Sequence, residues 1–142
     1  MSSNISEIPS DLLTPSDFGQ GVDIVDIARI DRLVMDWGDR FTNRIYTSRE
    51  QVICAGKFTS LAGRFAAKEA FVKAIGTGLR GIKWTDIEIL NQLNGRPYFV
   101  LHGGAKTEFV RVGWRSCLIT ISHAAGVAIA MVTVMKDRDT SV

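Results

Sequence analysis

Hydrophobic and polar positions alternate between two periods along this chain, and the switch points mark its elements. Over residues 21–27, Val22, Ile24, Val25 and Ile27 combine alternation with continuity, as in a buried strand, while Asp23 and Asp26 interrupt it with charge. Over 29–37 the spacing turns helical, with Ile30, Leu33, Val34 and Trp37 on one face and Gly38 as the stop. Short helical turns follow over 40–46 and 48–55, the second capped by Thr47 or Ser48 with Glu50 and Gln51 in its first turn. A long helix starts at Thr59 or Ser60 and runs to Ile75, where Gly63, Ala67, Ala70, Phe71 and Ala74 recur at the helical period. Small residues on that stripe predict a central helix packed closely across a sheet, with Phe65, Glu69 and Lys73 directed elsewhere at i, i+4, i+8.

Beyond the break at Gly76-Thr77-Gly78, Ile87 and Ile89 alternate with Asp86 and Glu88, which are expected to face away from the core. Asn94-Gly95 is the strongest hairpin signal, and 96–101 is the returning strand. A helix over 104–112 precedes two strands, 117–122 and 127–135, joined by a tight turn at Ala124-Ala125-Gly126. The pattern divides the chain into a flexible N-terminal extension (1–19), one folded domain (20–136) and a frayed tail (137–142).

At 142 residues the chain suits a single domain, short enough that a large ligand cleft calls for a neighbouring subunit. The first twenty residues contain no apolar run, so neither a secretory signal nor a membrane segment is expected, and the location expected is the cytosol. Cys54 and Cys117 lie far apart without metal-ligand spacing and read as reduced thiols. The overall charge is only +2, yet residues 29–83 hold eleven Lys and Arg against five Asp and Glu. That polarity suits an acidic partner or phosphates, or else a solvated basic face. Scarce aromatics in the basic segment argue against nucleic acid.

The chemistry-bearing residues gather around the long helix. Asp23 is a charge on an apolar strand, costly to bury alone, so it either pairs with Arg29 or Lys68 or takes a cation. Glu69 either bridges to Lys73 at i+4 or joins Asp23 at a magnesium ion, which favours oxygen ligands and bridges one or two carboxylates to substrate phosphates. Arg64, Lys68 and Lys73 offer a bidentate grip and movable point charges for several phosphates. Gly76 and Gly78, flanking Thr77, leave backbone amides open to an anion, though a helix stop also explains Gly76. His123 follows Ser122 at a strand end, either contacting substrate or serving structure; His102 reads as structural. No serine nucleophile elbow, zinc spacing, Walker loop or dinucleotide fingerprint is present.

GVDIVDIARI, RFAAKEAFVKAIGTG, Asn94-Gly95-Arg96-Pro97 and TISHAAGVAIAMV, in that order and spacing, resemble holo-acyl-carrier-protein synthases of the 4'-phosphopantetheinyl transferase superfamily. The resemblance spans residues 21–134. It implies an α+β fold with helices packed on a mainly antiparallel sheet, in agreement with the periodicity. It also implies transfer of 4'-phosphopantetheine from coenzyme A to a serine of apo acyl carrier protein, with release of adenosine 3',5'-bisphosphate, in fatty acid biosynthesis. Magnesium is the implied cofactor, held by Asp23 and Glu69, and a homotrimer with sites between subunits is the implied assembly. In that reading Asp23, Glu69 and Lys73 carry the chemistry. Arg64, Lys68, Gly76, Thr77, Gly78, Pro97, Ser122 and His123 contact substrate, and Arg29, Arg32, Arg40 and Arg44 dock the carrier. The competing class is a non-catalytic module that binds a nucleotide or an acidic protein through the basic segment.

Overall fold

In a computed structural model, residues 17–136 are described; the proposed extension and tail lie largely outside them. The first strand, β1 (Phe18–Asp26), leads into α1 (Ile27–Trp37), whose N-terminus is capped by Asp26 through a hydrogen bond from the Ala28 amide. One of the two strand acids is thus explained locally: it satisfies a helix-end donor. Gly38, at φ 54°, separates α1 from α2 (Asp39–Ile45). The next helix, α3 (Ser48–Cys54), begins with a capping box in which Thr47 and Glu50 satisfy each other's amides.

Helix α4 (Phe58–Ile75) is the axis of the molecule. A turn of 3-10 helix (Trp84–Asp86) then leads into the hairpin β2 (Ile87–Asn91) and β3 (Pro97–Leu101). After α5 (Gly103–Val112) come β4 (Ser116–Ala124) and β5 (Val127–Met135). The class is α+β, but its antiparallel strands form two sheets, β1-β5-β4 and β2-β3. The expected hairpin forms with a longer connection than Asn94-Gly95 alone. The strands separate at Asn91 and Pro97, the Gly95 amide bonds to the Gln92 carbonyl, and Gly95 takes φ 87°.

Both faces of α4 are covered. Gly63, Ala66, Ala67, Ala70 and Ala74 are buried on the strand side, yet Phe65, packed on Trp84, and Phe71, packed on Phe99 and Phe109, are buried as well. The stripe through Phe65 is therefore core at one end and site at the other. Contact with β1 is backbone to backbone: a Cβ on Gly21 would lie 2.0 Å from the Ala70 carbonyl oxygen, and one on Gly19 2.2 Å from that of Ala74. The expectation of a wholly buried first strand is corrected. Val25 is buried, but Val22 and Ile24 alternate onto the outer face and are 54% and 62% exposed. They share that face with Phe18, Leu118, Ile129 and Met131.

Glu88 also departs from expectation. It is buried, and it accepts hydrogen bonds from Thr47 and Arg49 while His102 Nε2 lies 3.0 Å away. Burial alone would raise its carboxyl, but these three partners prevail and hold it down to about 2. His102 is structural, with Glu88 as its partner. No helix among the described residues is long and apolar enough to cross a membrane. Cys54, buried, and Cys117, half-buried, are free thiols.

Candidate active site

Asp23 and Glu69 converge. Strand β1 runs along α4 so that Gly21 meets Ala70, and the next inward residue, Asp23, meets the helix flank carrying Glu69. Lys73, one turn further, donates from Nζ to Asp23 Oδ1 at 3.0 Å and to the Val22 carbonyl at 3.2 Å. Asp23 pairs with neither Arg29 nor Lys68. Its second oxygen, Oδ2, is buried and accepts no hydrogen bond from a standing donor among the described residues. Burial first, and then the neighbouring Asp23 carboxylate, push the Glu69 carboxyl up to about 7, while the positive charges of Arg29 and Lys73 oppose that rise. The two acids lie within reach of a shared proton, a place equally suited to a cation.

An unpartnered buried carboxylate oxygen beside a second carboxylate fits a divalent ion. Among the described residues no group of three or more His, Cys, Asp or Glu gathers anywhere, so this pair is what the chain would offer such an ion. Two carboxylates suffice for magnesium, which keeps water in its remaining positions.

A second group lies across the helix. A crevice of about 210 Å³ is lined by Ser60, Gly63, Arg64, Pro97, Ile121 and His123, among others. Five residues at about 100° each set Arg64 and Glu69 roughly 140° apart around α4. Across the sheet, Asp23 pairs with Ala130 and Ala130 with Ile121, so two strand spacings, about 10 Å, separate the acid from the crevice wall. Arg64 donates to the Ile89 carbonyl at 3.2 Å and to Asn91 Oδ1 at 3.3 Å. A guanidinium has five N–H donors, so these two bonds do not exhaust it.

Two assignments need correction, and a third is placed at one end of the helix. Lys68 is fully buried and pairs with Glu50 at 2.7 Å, so it cannot reach a substrate phosphate. Burial pulls its ammonium below the usual range, while Glu50 works to keep it charged. Ser122 alternates onto the outer sheet face, away from the crevice that Ile121 and His123 line. Gly76-Thr77-Gly78 closes α4 about 18 Å along the axis from Arg64, at roughly 1.5 Å per residue. That turn belongs to the Lys73 end, and Thr77 lies near Glu108 of α5.

Glu50 was missed as a partner, although Thr47-x-x-Glu50 marks a capping box; the pattern cannot say that its carboxylate turns inward. Asn91 had no signal. The docking candidates Arg29, Arg32, Arg40 and Arg44 are all exposed on α1 and α2. Arg40 lies over the Trp37 ring at 5.7 Å and, with Leu33, Trp37, Phe41 and Arg44, lines a groove of about 280 Å³.

Residues 19–132 match the 4'-phosphopantetheinyl transferase superfamily profile, which spans nearly all of the described fold. The chain belongs to this superfamily. It is 44% identical over 123 residues to a holo-[acyl-carrier-protein] synthase of Geobacter sp. (strain M21), covering 84% of this chain and 98% of that relative. The Herpetosiphon aurantiacus protein of the same description is 41% identical over 122 residues, 81% of this chain and 96% of its own length. Among solved structures, the Helicobacter pylori holo-[acyl-carrier-protein] synthase in complex with coenzyme A superposes with a TM-score of 0.75 at 37% identity, covering 81% of this chain and 98% of that one. The Neisseria meningitidis synthase gives 0.75 at 38%, covering 83% and 98%.

Proposed function

We propose that this chain transfers the 4'-phosphopantetheine group of coenzyme A to a serine of apo acyl carrier protein, releasing adenosine 3',5'-bisphosphate, and so prepares the carrier for fatty acid biosynthesis. Superfamily membership and close likeness to holo-[acyl-carrier-protein] synthases support the reaction. The observation that carries the site is the meeting of Asp23 and Glu69, forty-six residues apart in sequence, beside Lys73.

Magnesium held by Asp23 and Glu69 would supply positive charge at the pyrophosphate oxygens. Lys73 adds a second positive charge at the same place. Arg64 and His123 hold the nucleotide end, with Pro97 as an apolar wall. Glu69, or a water ordered beside the acid pair, takes the proton of the carrier serine. The serine oxygen bonds to the β-phosphorus as the bond to the bridging oxygen breaks, and the bisphosphate leaves with that electron pair. Positioning and charge compensation carry this kind of transfer, and no covalent enzyme intermediate is required.

The two residue groups, on opposite flanks of α4, support a site completed by a neighbouring copy. The exposed apolar face of β1-β5-β4 supports association of copies; the assembly we infer is a homotrimer, and the location the cytoplasm. Exposed apolar patches of this kind mark interfaces. Arg29, Arg32, Arg40 and Arg44 dock the acidic carrier, and Leu33, Trp37 and Phe41 seat its apolar side chains.

Incubating the protein with coenzyme A, magnesium and apo carrier should add one phosphopantetheine group to the carrier by mass spectrometry. Asp23→Ala and Glu69→Ala should abolish the gain while the circular dichroism spectrum is kept. Near-normal turnover by both variants would refute the site.

A further inference from the structure

The buried ion pair between Glu50 and Lys68 has no part in the chemistry above, yet both of its members are fully enclosed and hydrogen-bonded. Glu50 Oε1 accepts from Lys68 Nζ at 2.7 Å and from the Thr47 amide at 3.0 Å, while Oε2 accepts from the Ile89 amide at 3.2 Å. Lys68 Nζ also donates to the Trp84 carbonyl at 3.0 Å and lies 5.7 Å from the centre of the Tyr46 ring. One turn earlier on α4, Arg64 takes the carbonyl of the same Ile89. Through these bonds α3, β2 and the 3-10 turn all grip α4 at Arg64 and Lys68.

Such a grip is needed because of what α4 presents to the sheet. Gly63, Ala66, Ala67, Ala70 and Ala74 meet strands that carry Gly19 and Gly21 at the closest approach. Glycine against alanine fixes the distance between the two layers but supplies few side-chain knobs to stop the helix turning or sliding. Phe65 and Phe71 anchor the far side through apolar contact, which is non-directional. A hydrogen-bonded ion pair is directional, and burying it adds little net stability over well-packed apolar residues. Its best-attested benefit is register.

We propose that Glu50 and Lys68 are positioning residues: they set the rotation and axial register of α4, and through it place Glu69 against Asp23 without touching substrate. The inference rests on the reading of Asp23 and Glu69 as the active acids, and only its functional half depends on that reading.

The test replaces the pair by apolar residues of similar size, Glu50→Leu/Lys68→Met, in two settings. Calorimetry on the otherwise native protein should still show one cooperative transition, at a midpoint lowered because the Thr47 and Ile89 amides lose their acceptor, while kcat falls by about tenfold to a hundredfold, the scale of a small misplacement. In a protein that also carries Asp23→Cys/Glu69→Cys, a short bis-alkylating reagent should bridge the engineered thiols about tenfold more slowly than when the ion pair is present. This readout involves neither metal nor turnover. Should the apolar pair prevent folding, Glu50→Gln/Lys68→Met takes its place with the same expected results. An unchanged bridging rate or an unchanged kcat in a folded variant overturns the proposal. Failure of both variants to fold also overturns it, because the pair would then be a plain stability element. If Asp23→Ala and Glu69→Ala keep activity, the reading of the acids falls, whereas the bridging rates still report what holds α4.

Discussion

At the scale of single residues, opposite electrostatic fates of two glutamates lead to opposite predictions. Glu69, raised from 4.5 to about 7 by burial and by Asp23, holds its proton more tightly folded than unfolded. Its contribution to stability is therefore fully present below its ordinary range and is lost as pH rises through about 7. In the metal-free protein the thermal midpoint should carry a downward slope between about pH 5 and about pH 7.5 that Glu69→Gln flattens and added magnesium reverses. Parallel slopes in calorimetry would remove the strained acid pair. Glu88, held down to about 2, behaves in the other sense: its contribution is present above the ordinary carboxylate range and is lost as pH falls toward 2. Glu88→Gln should cost about 1–3 kcal/mol in urea unfolding near neutrality, with the gap closing in acid. Both residues appear in the sequence as bare acids; burial acts on both in the same sense, and their partners set them apart, Asp23 for Glu69 and Thr47, Arg49 and His102 for Glu88.

At the scale of elements, the helices were legible because caps and stops are local chemistry: Gly38 and the Thr47–Glu50 box act on neighbouring residues, whereas Asp26, read as a charge on the strand, proved to be a cap only in the fold. Helix α4 was expected to have an apolar stripe and a functional one. Buried over most of its circumference, it has instead a core with two functional flanks, and this explains why Lys68 could be taken for a phosphate ligand. The contact between β1 and α4 leaves no room for a side chain. Gly21→Ala should cost roughly 1–3 kcal/mol or more, since the added methyl meets the Ala70 carbonyl, and should reduce turnover by displacing Asp23 two residues on. Wild-type stability and rate in that variant would show that the two layers can move apart freely.

At the scale of the whole molecule, the apolar outer face and the divided site make one joint prediction. Ile24→Asp should yield a folded monomer by light scattering, without transfer activity. Glu69→Ala and His123→Ala proteins, each inactive alone, should recover part of the activity when refolded together, because a mixed assembly restores a site built from two copies. No recovery would place the whole site within one chain. Carrier docking is an outer-surface property: Arg29→Glu should raise KM for the carrier far more than for coenzyme A, and the wild-type KM for the carrier should rise with salt. Equal effects on both substrates would take Arg29 out of the docking surface. Its charge also reaches Glu69, so the proposed docking surface adjoins the acid pair.

By itself the sequence determined the element order, the α+β class and the pairing of β2 with β3, because periodicity, caps and turns are written in neighbouring residues, and it offered the meeting of Asp23 with Glu69 and Lys73 only as an expectation. Only the tertiary structure decided which charges are spent inside. It turned Lys68 to Glu50 and Glu88 to Arg49 and His102, set Ser122 on the outer face, and put Arg64 with His123 across α4 from the acids. Those outcomes depend on which strand and helix faces meet, and a side chain's partner across such a contact has no counterpart in the residues next to it.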